Sequence, residues 1–203
     1  WKMGVAIALV ASAVGIVSEL AIGPAIPKER SLVEPKLDTL RHLQAHEPAW
    51  RFERDKRYGQ VDAARIARAA SEPQNWLVDG ASYRGWHYSP LKQIDTKSIA
   101  RLRPAWFFEL DTTRGQEAEP VVVDGVMYLS TAWSKVYALD AATGRMLWRF
   151  DPQVSGLAGA QGCCHLFNRG VAVYGGRVFV AALDGRLIAL DASNGKVLWS
   201  VPT

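Results

Sequence analysis

The chain has too few cysteines for a disulfide framework: two in 203 residues, and they are adjacent, Cys163-Cys164. Neighbouring Cα atoms lie about 3.8 Å apart, below the usual disulfide span of roughly 4.4 to 6.8 Å, so this pair cannot staple distant parts of a fold. Two readings of the pair stand: reduced, buried cysteines acting as small apolar residues, or a strained eight-membered disulfide ring of the labile, functional kind. Uninterrupted basic blocks are also missing. The densest basic stretch, Arg51 to Arg57, contains Glu53 and Asp55, and the net charge is +4; this is a solvated face rather than a nucleic-acid footprint. No third ligand stands near His42 and His46, whose i, i+4 spacing would otherwise suit a metal, so they read as a solvent-exposed pair. The longest apolar run, Gly4 to Val17, falls short of the about 20 residues that span a membrane.

What is present is ordinary in bulk, 49% hydrophobic and 22% charged, as in soluble globular proteins. The first 27 residues differ: Lys2, the apolar run, then small residues ending in Pro24 and Pro27. They read as a secretory signal peptide, or as an uncleaved membrane anchor if Leu20 to Ile22 join the run. Residues 28–73 read as a helical or irregular extension. Ser31 and Glu34 have capping-box spacing, Leu37, Leu40 and Leu43 recur on one side, and a second helix over Val61 to Ala70 is stopped by Pro73. No chemistry is assigned before residue 74.

From Asn75-Trp76 onward glycines, aromatics and β-branched residues take over, and the sequence repeats. Ala138-Leu139-Asp140-Ala141-Ala142-Thr143-Gly144-Arg145-Met146-Leu147-Trp148 returns as Ala189-Leu190-Asp191-Ala192-Ser193-Asn194-Gly195-Lys196-Val197-Leu198-Trp199, a period of 51 residues. A fainter copy runs from Ile94-Asp95 to Ala105-Trp106. Each full copy holds four short strands. The first predicts Val121 to Val123, a hairpin at Asp124-Gly125, Val126 to Thr131, a turn at Trp133-Ser134, Lys135 to Leu139 with alternating side chains, and Arg145 to Phe150. The second predicts Gly170 to Val173, Arg177 to Ala182, Arg186 to Leu190 and Lys196 to Val201, separated by Gly175-Gly176, Asp184-Gly185 and Asn194-Gly195. One four-stranded sheet cannot bury both faces, so the sheets must stack. The expectation for residues 74–203 is an all-β, partial β-propeller of antiparallel four-stranded blades. Each tryptophan is expected to pack over the neighbouring sheet and to return its indole N–H to the turn that presents it. Asp140 and Asp191 are expected to cap turn N–H groups, with Gly144 and Gly195 at positive φ.

The repeat Ala-Leu-Asp-x-x-Thr/Asn-Gly-x-x-x-Trp resembles the tryptophan-docking motif of the quinoprotein dehydrogenases, eight-bladed propellers that carry pyrroloquinoline quinone (PQQ) on their axis. Asn75-Trp76-Leu77 through Tyr88-Ser89-Pro90-Leu91 is similar to their lead into the first blade. Arg114-Gly115-Gln116-Glu117-Ala118, followed by Pro120, is similar to the segment that sends a glutamate to the cofactor. Cys163-Cys164 with Asn168-Arg169-Gly170 resembles the vicinal-disulfide segment of the PQQ alcohol dehydrogenases in particular. The resemblance covers roughly residues 74 to 203. It implies that Cys163 and Cys164 form a disulfide lying against one face of PQQ, that Arg169 pairs with its acidic or quinone oxygens, and that Glu117 shares a proton with a cofactor carboxyl or ring N–H. Two stretches depart from the family pattern: His165-Leu166-Phe167 stands where Asp-Val-Val is common, and Glu119 stands where threonine is usual. On an extended strand Glu119 would share a face with Glu117, where the two repel or Glu119 disturbs PQQ binding; His165 would titrate near neutral pH or point to solvent.

The functional expectation is the N-terminal part of a PQQ-dependent alcohol dehydrogenase that oxidises primary alcohols to aldehydes and passes electrons to a cytochrome c. The N-terminal segment implies export, here to the periplasm, with membrane association through its apolar run, and the interrupted basic stretch implies no nucleic-acid partner. Eight blades of this period need roughly 400 residues, and the chain starts at Trp1, so it reads as a piece of a longer frame, inactive alone. In the family the catalytic base, the metal ligands and the tryptophan floor under PQQ come later; a calcium or lanthanide ion is expected to bind beyond residue 203. The open rivals are a non-catalytic propeller acting as an envelope scaffold or binding module, a sugar or polyol quinoprotein, and an inactive truncated fragment. The last blade is expected to leave its outer side uncovered.

Overall fold

A computed structural model describes residues 53, 56–161 and 165–203. The expected signal or anchor at 1–27, the capping box at Ser31, the leucine stripe, His42, His46 and the Cys163-Cys164 pair lie outside the described residues.

Asp62 opens the short helix α1 (Ala63–Ala67) by accepting the Arg65 N–H at its side chain, and the chain leaves through a 3-10 turn at Ala69–Ser71 ahead of Pro73. The predicted helix over Val61 to Ala70 is thus there in shorter form. Eight strands follow: β1 (Val121–Val123), β2 (Val126–Ser130), β3 (Val136–Asp140) and β4 (Met146–Phe150), then β5 (Ala172–Tyr174), β6 (Arg177–Ala181), β7 (Arg186–Asp191) and β8 (Val197–Pro202). A one-turn-and-a-half helix, α2 (Gly156–Gln161), lies between the two sets. Each set is one antiparallel meander, ordered β1-β2-β3-β4 and β5-β6-β7-β8. The first hairpins turn through two consecutive positive φ values, Asp124 and Gly125 in one blade and Gly175 and Gly176 in the other, the twist-matched turn that Asp-Gly and Gly-Gly favour. Both blades carry a register shift at the same repeat position, Ala138/Leu139 and Ala189/Leu190.

Alternation holds in β1 to β3, but both faces are apolar and both are covered. Val121, Val123, Val126, Tyr128, Val136 and Ala138 enter the core shared with the second blade and the Tyr58–Ile66 segment. Val122, Met127, Leu129, Tyr137 and Leu139 enter a second core closed by Trp106. A blade with neighbours on both sides has no polar face to alternate with, so every residue of β2 and β3 is buried.

The tryptophans pack over the neighbouring sheet as expected, but their indole N–H groups go elsewhere than expected. Trp148 Nε1 donates to Ala192 O at 3.1 Å, in the β7–β8 turn of the next blade, and Trp106 Nε1 donates to Ala141 O at 3.1 Å in the β3–β4 turn. The bond therefore joins blades rather than closing a turn on itself. A Cβ on Gly195 would stand 2.6 Å from Trp148 Cε3, and one on Gly144 2.4 Å from Trp106 Cε3, so the facing residue has to be glycine for the indole to lie flat. Both glycines have positive φ, and Asp140 and Asp191 cap their turns by accepting from Ala142, Thr143 and Ser193. Trp148 is 8% exposed, while its repeat equivalent Trp199, with no described blade beyond it, is 39% exposed and its ring tilts against Phe179. All of β8 is exposed, as expected for the outer side of the last blade.

Candidate functional site

Three loops and one arm meet at the ends of the blades: the approach to β1 (115–120), the β2–β3 connection, the approach to β5 (165–171), and the arm from Trp76 to His87. The β2–β3 connection is held in an unusual shape, with φ of 64° at Trp133 and 56° at Ser134; the Trp133 N–H donates to Leu166 O at 3.0 Å. Asn168 ties these parts together. Its Oδ1 accepts from Ser130 Oγ at 2.6 Å and from the Gly170 N–H at 3.2 Å, while its Nδ2 donates to Ala181 O at 2.8 Å and Ser134 Oγ at 3.2 Å. One side chain thus fixes the start of β5 against the ends of β2 and β6. Gln116 adds a bond from Nε2 to Ser130 O at 2.5 Å, and its buried Oε1 has no partner among the described residues.

This scaffold brings Glu117 and Arg169 together. Arg169 Nε donates to Glu117 Oε2 at 3.2 Å. The two residues sit at matching places, each just ahead of the first strand of its blade. Arg169 is 74% exposed, so the pair is a weak contributor to stability and stands open to a ligand. Its two terminal guanidinium nitrogens carry no protein partner among the described residues. Beside it lies an open cavity of about 360 Å³, walled by Phe167, Asn168, Arg169, Val171, Ala182, Asp79 and Glu119 among others. Arg169 gives this cavity a permanently charged donor edge that suits a flat anionic heterocycle such as PQQ, beside apolar Phe167, Val171, Ala182 and Leu183 and the carboxyls of Asp79 and Glu119. Among the described residues no three His, Cys, Asp or Glu side chains are grouped to hold a metal ion.

Glu117 and Glu119 do not share a face. Residues 115–120 are not in a strand, so the period-two rule does not apply, and the carboxylates diverge. Glu119 reaches back to the arm: its Oε1 accepts from Trp76 Nε1 and from the Gly80 N–H at 2.9 Å, and its Oε2 stands 3.1 Å from His87 Nδ1, an ion pair whenever His87 is protonated. Burial pushes the Glu119 carboxyl up, but the hydrogen bonds from Trp76, Gly80 and Asp79 and the nearby His87 outweigh it and leave it below the ordinary range. Asp79 moves the other way, raised by burial and by its hydrogen bond to, and the charge of, Glu119. The second departure from the family pattern is also accommodated. Phe167 lies where a Cβ on Gly115 would come within 2.8 Å of its ring, so glycine there admits the larger side chain. His165 is exposed, as the second of its two expectations had it, and its ring tilts against Phe167 at a centroid distance of 5.7 Å.

The resemblance assigns Glu117 and Arg169 each to PQQ but does not pair them with one another, and nothing in the sequence pointed to Asp79, His87 or the role of Asn168. Asn168 stands in the sequence only as part of the Asn-Arg-Gly run; Asp79 and His87 lie 40 and 32 residues before Glu119 and meet it only through the folding of the arm.

Comparison with known proteins identifies the family. The family model for the glucose/ethanol/alcohol dehydrogenase PQQ β-propeller domain matches residues 76–200. The dehydrogenase subunit of the quinone-dependent alcohol dehydrogenase of Gluconobacter oxydans (strain 621H) is 53% identical over 131 residues, covering 64% of this chain and 17% of that protein. The 1-butanol dehydrogenase (cytochrome c) of Thauera butanivorans is 48% identical over 124 residues, covering 61% of this chain and 18% of that protein. The structure of the quinohemoprotein alcohol dehydrogenase ADHIIG of Pseudomonas putida HK5 superposes with a TM-score of 0.71 at 49% identity, over 73% of this chain and 22% of that one. The chain thus spans about a fifth of the length of the relatives it matches. It belongs to the PQQ glucose/ethanol/alcohol dehydrogenase β-propeller family.

Proposed function

We propose that the chain is the N-terminal part of an exported, periplasmic PQQ-dependent alcohol dehydrogenase that oxidises primary alcohols to aldehydes and delivers the electrons to a cytochrome c. The observation that carries the reading is the Arg169–Glu117 pair, set at matching places on two adjacent blades beside the cavity, with the outer guanidinium edge open. The printed names of the relatives, quinone-dependent and cytochrome c-linked alcohol dehydrogenases, support the substrate class and the acceptor. Residues 1–27 supply the export signal or a membrane anchor in this reading.

Bound PQQ would supply the two-electron acceptor for the alcohol. Arg169 would hold its anionic groups through the terminal guanidinium nitrogens while Nε keeps Glu117 in place. Glu117 offers a carboxylate that accepts a hydrogen bond from the ligand. A Cys163-Cys164 disulfide would offer a rigid surface to the flat ring, in the segment leading to Asn168, which anchors the backbone around Arg169 through Ala181 O and the Gly170 N–H. The catalytic base and the calcium or lanthanide ligands belong to later blades.

The test uses protein from the complete reading frame. PQQ binding, followed by absorbance and calorimetry, should weaken at least tenfold in Arg169→Ala and remain weakened in Arg169→Lys, because a lysine point charge cannot replace the fork. Wild-type affinity in Arg169→Ala would overturn the assignment, and two free thiols found by mass spectrometry of the oxidised protein would remove the disulfide platform.

A further inference from the structure

Trp76 pairs with Val122 on the edge of β1, and the chain beyond it reaches the cavity wall at Asp79. Leu77 is buried and Val78 packs against the core shared by the blades. From Asp79 onward the attachment changes. The bonds within the segment are short-range, from Ala81 N–H to Val78 O, Gly85 N–H to Ser82 O and His87 N–H to Gly80 O. They close a compact loop in which Gly80, Ala81, Gly85 and His87 all have positive φ, between 50° and 67°. Alanine and histidine keep that conformation only where their surroundings hold it. Among the described residues, every hydrogen bond or ion pair that joins 77–87 to another part of the chain ends on one group, the Glu119 carboxylate. Its Oε1 accepts from the Gly80 N–H at 2.9 Å, and its Oε2 stands 3.1 Å from His87 Nδ1, a place that a neutral Nδ1–H fills as well as an imidazolium does. Oε1 also accepts from Trp76 Nε1. One carboxylate thus grips the arm at its root, at the start of the loop and at its end.

We propose that Glu119 is a positioning residue for cofactor binding: its carboxylate latches the 79–87 loop to the approach to β1, and the latched loop is a wall that keeps PQQ in the cavity. The proposal rests on the reading of the cavity as the PQQ site. Glu119 stands two residues from Glu117, and its carbonyl oxygen is 3.7 Å from where a Cβ on Gly170 would be, next to Arg169. The latch therefore fastens the loop to the same backbone that carries the Glu117–Arg169 pair. Asp79 and Glu119 line the cavity together with Arg169, so the loop borders the ligand although it carries none of the residues that the resemblance assigns to PQQ. Releasing the latch frees a wall and removes no group assigned to the cofactor. Its effect falls on the escape of the ligand rather than on its capture.

The experiment compares wild type, Glu119→Ala, Glu119→Gln and Trp76→Phe in protein from the complete reading frame. Glutamine keeps an oxygen for Trp76 and Gly80, and its amide N–H donates to a neutral His87, so it preserves the latch without the charge. Hydrogen exchange read by mass spectrometry reports on the loop in the apoprotein. The peptide spanning 79–87 should exchange at least about tenfold faster in Glu119→Ala, while peptides of β2 and β3 keep their wild-type rates. Stopped-flow mixing with PQQ at fixed calcium separates the rate constants. Dissociation should be at least about tenfold faster in Glu119→Ala with association changed less than about threefold, and Glu119→Gln should stay within about threefold of wild type in both. Trp76→Phe removes one of the three groups that the carboxylate holds and should fall between wild type and Glu119→Ala. A misfolded fraction lowers the amplitude of binding and leaves the dissociation rate of the folded remainder alone, so a general loss of structure does not imitate this result. Where Glu119→Ala yields no folded protein, Trp76→Phe against wild type decides by the same two readouts. Unchanged exchange of the loop in Glu119→Ala, or Glu119→Gln as fast as Glu119→Ala, overturns the latch; faster exchange with wild-type dissociation overturns its part in keeping PQQ. Each of these leaves the cofactor site standing, whereas failure of wild type to bind PQQ defeats both readings.

Discussion

The carbonyl of Ala192 accepts two side-chain donors from the preceding blade, Trp148 Nε1 and Tyr128 Oη, each at 3.1 Å. Ala192 is 0% exposed, so no water can stand in for either donor. Trp148→Phe removes one bond and some packing, and Tyr128→Phe removes the other bond with almost no change of shape. A neutral hydrogen bond is worth about 1 kcal/mol net, and in each single variant the carbonyl keeps one partner. The double variant leaves it buried with none. That adds a desolvation penalty of about 1 to 3 kcal/mol that neither single variant incurs. The double-mutant cycle should therefore show the pair of substitutions costing about 1 to 2 kcal/mol more than the sum of its parts. Urea unfolding followed by far-ultraviolet circular dichroism measures it without relying on the fluorescence of a tryptophan that one variant lacks. Additivity within about 0.5 kcal/mol would show that the carbonyl is not the shared point of contact between the blades.

Glycine positions should separate by what faces them. Gly195→Ala places a Cβ 2.6 Å from Trp148 Cε3 at a φ of 72°, and should cost about 2 kcal/mol or more in thermal or urea unfolding; Gly175→Asn, at a φ of 56° with only the Arg177 terminus nearby at 3.6 Å, should cost less than about 1 kcal/mol. Acid stability should depend on Arg65, which bridges Glu72 and Asp124 at 2.6 and 2.5 Å. Arg65 holds the Glu72 carboxyl below its ordinary pKa, so this contribution is present above the ordinary carboxylate range and is lost as pH falls through the lowered folded value. Arg65→Met should lower stability at pH 7 and flatten its decline on acidification, read from unfolding midpoints between pH 7 and 3; an unchanged acid slope would contradict the role of the pair.

The strands were legible because their turns carry local chemistry. Asp124-Gly125 and Gly175-Gly176 specify two positive φ values in a row wherever they stand, and Asp140 and Asp191 cap their own turns. What could not be read was anything decided by stacking. A tryptophan in β4 carries no sign of whether its N–H serves its own turn or one 44 residues on, because only the offset between blades decides which carbonyl it meets. The same holds for burial in β3: Tyr137 and Leu139 alternate with Val136 and Ala138, and only a second neighbour explains why neither set is exposed. Glu119 was misread because the rule applied to it belongs to strands, whereas the chain ahead of Pro120 follows the arm. The resemblance placed Glu117 and Arg169 at one cofactor but not against each other, since two charged residues 52 positions apart carry no local signal that they meet.

Their meeting nevertheless follows from the repeat once the repeat is known. Glu117 lies four residues before β1 and Arg169 three before β5, so they occupy nearly equivalent places on consecutive blades. Stacking repeats one contact at each junction, as Trp106 with Ala141 and Trp148 with Ala192 show, and it also sets the two approaches side by side. A ligand seat at the blade ends can thus be assembled from one chemically distinct residue per blade. The repeat need be broken only in the short approaches to the first strands while the sheets keep their shared pattern. This explains why the chemistry of the chain falls outside the strands, in 115–120 and 165–170, and why Asn168 has to connect three strand ends at once. A shift of one blade against the next by a single residue would leave both sheets intact and separate Arg169 from Glu117. The inter-blade bonds of Asn168, Trp148 and Tyr128 therefore hold the geometry of the site as much as they hold the fold.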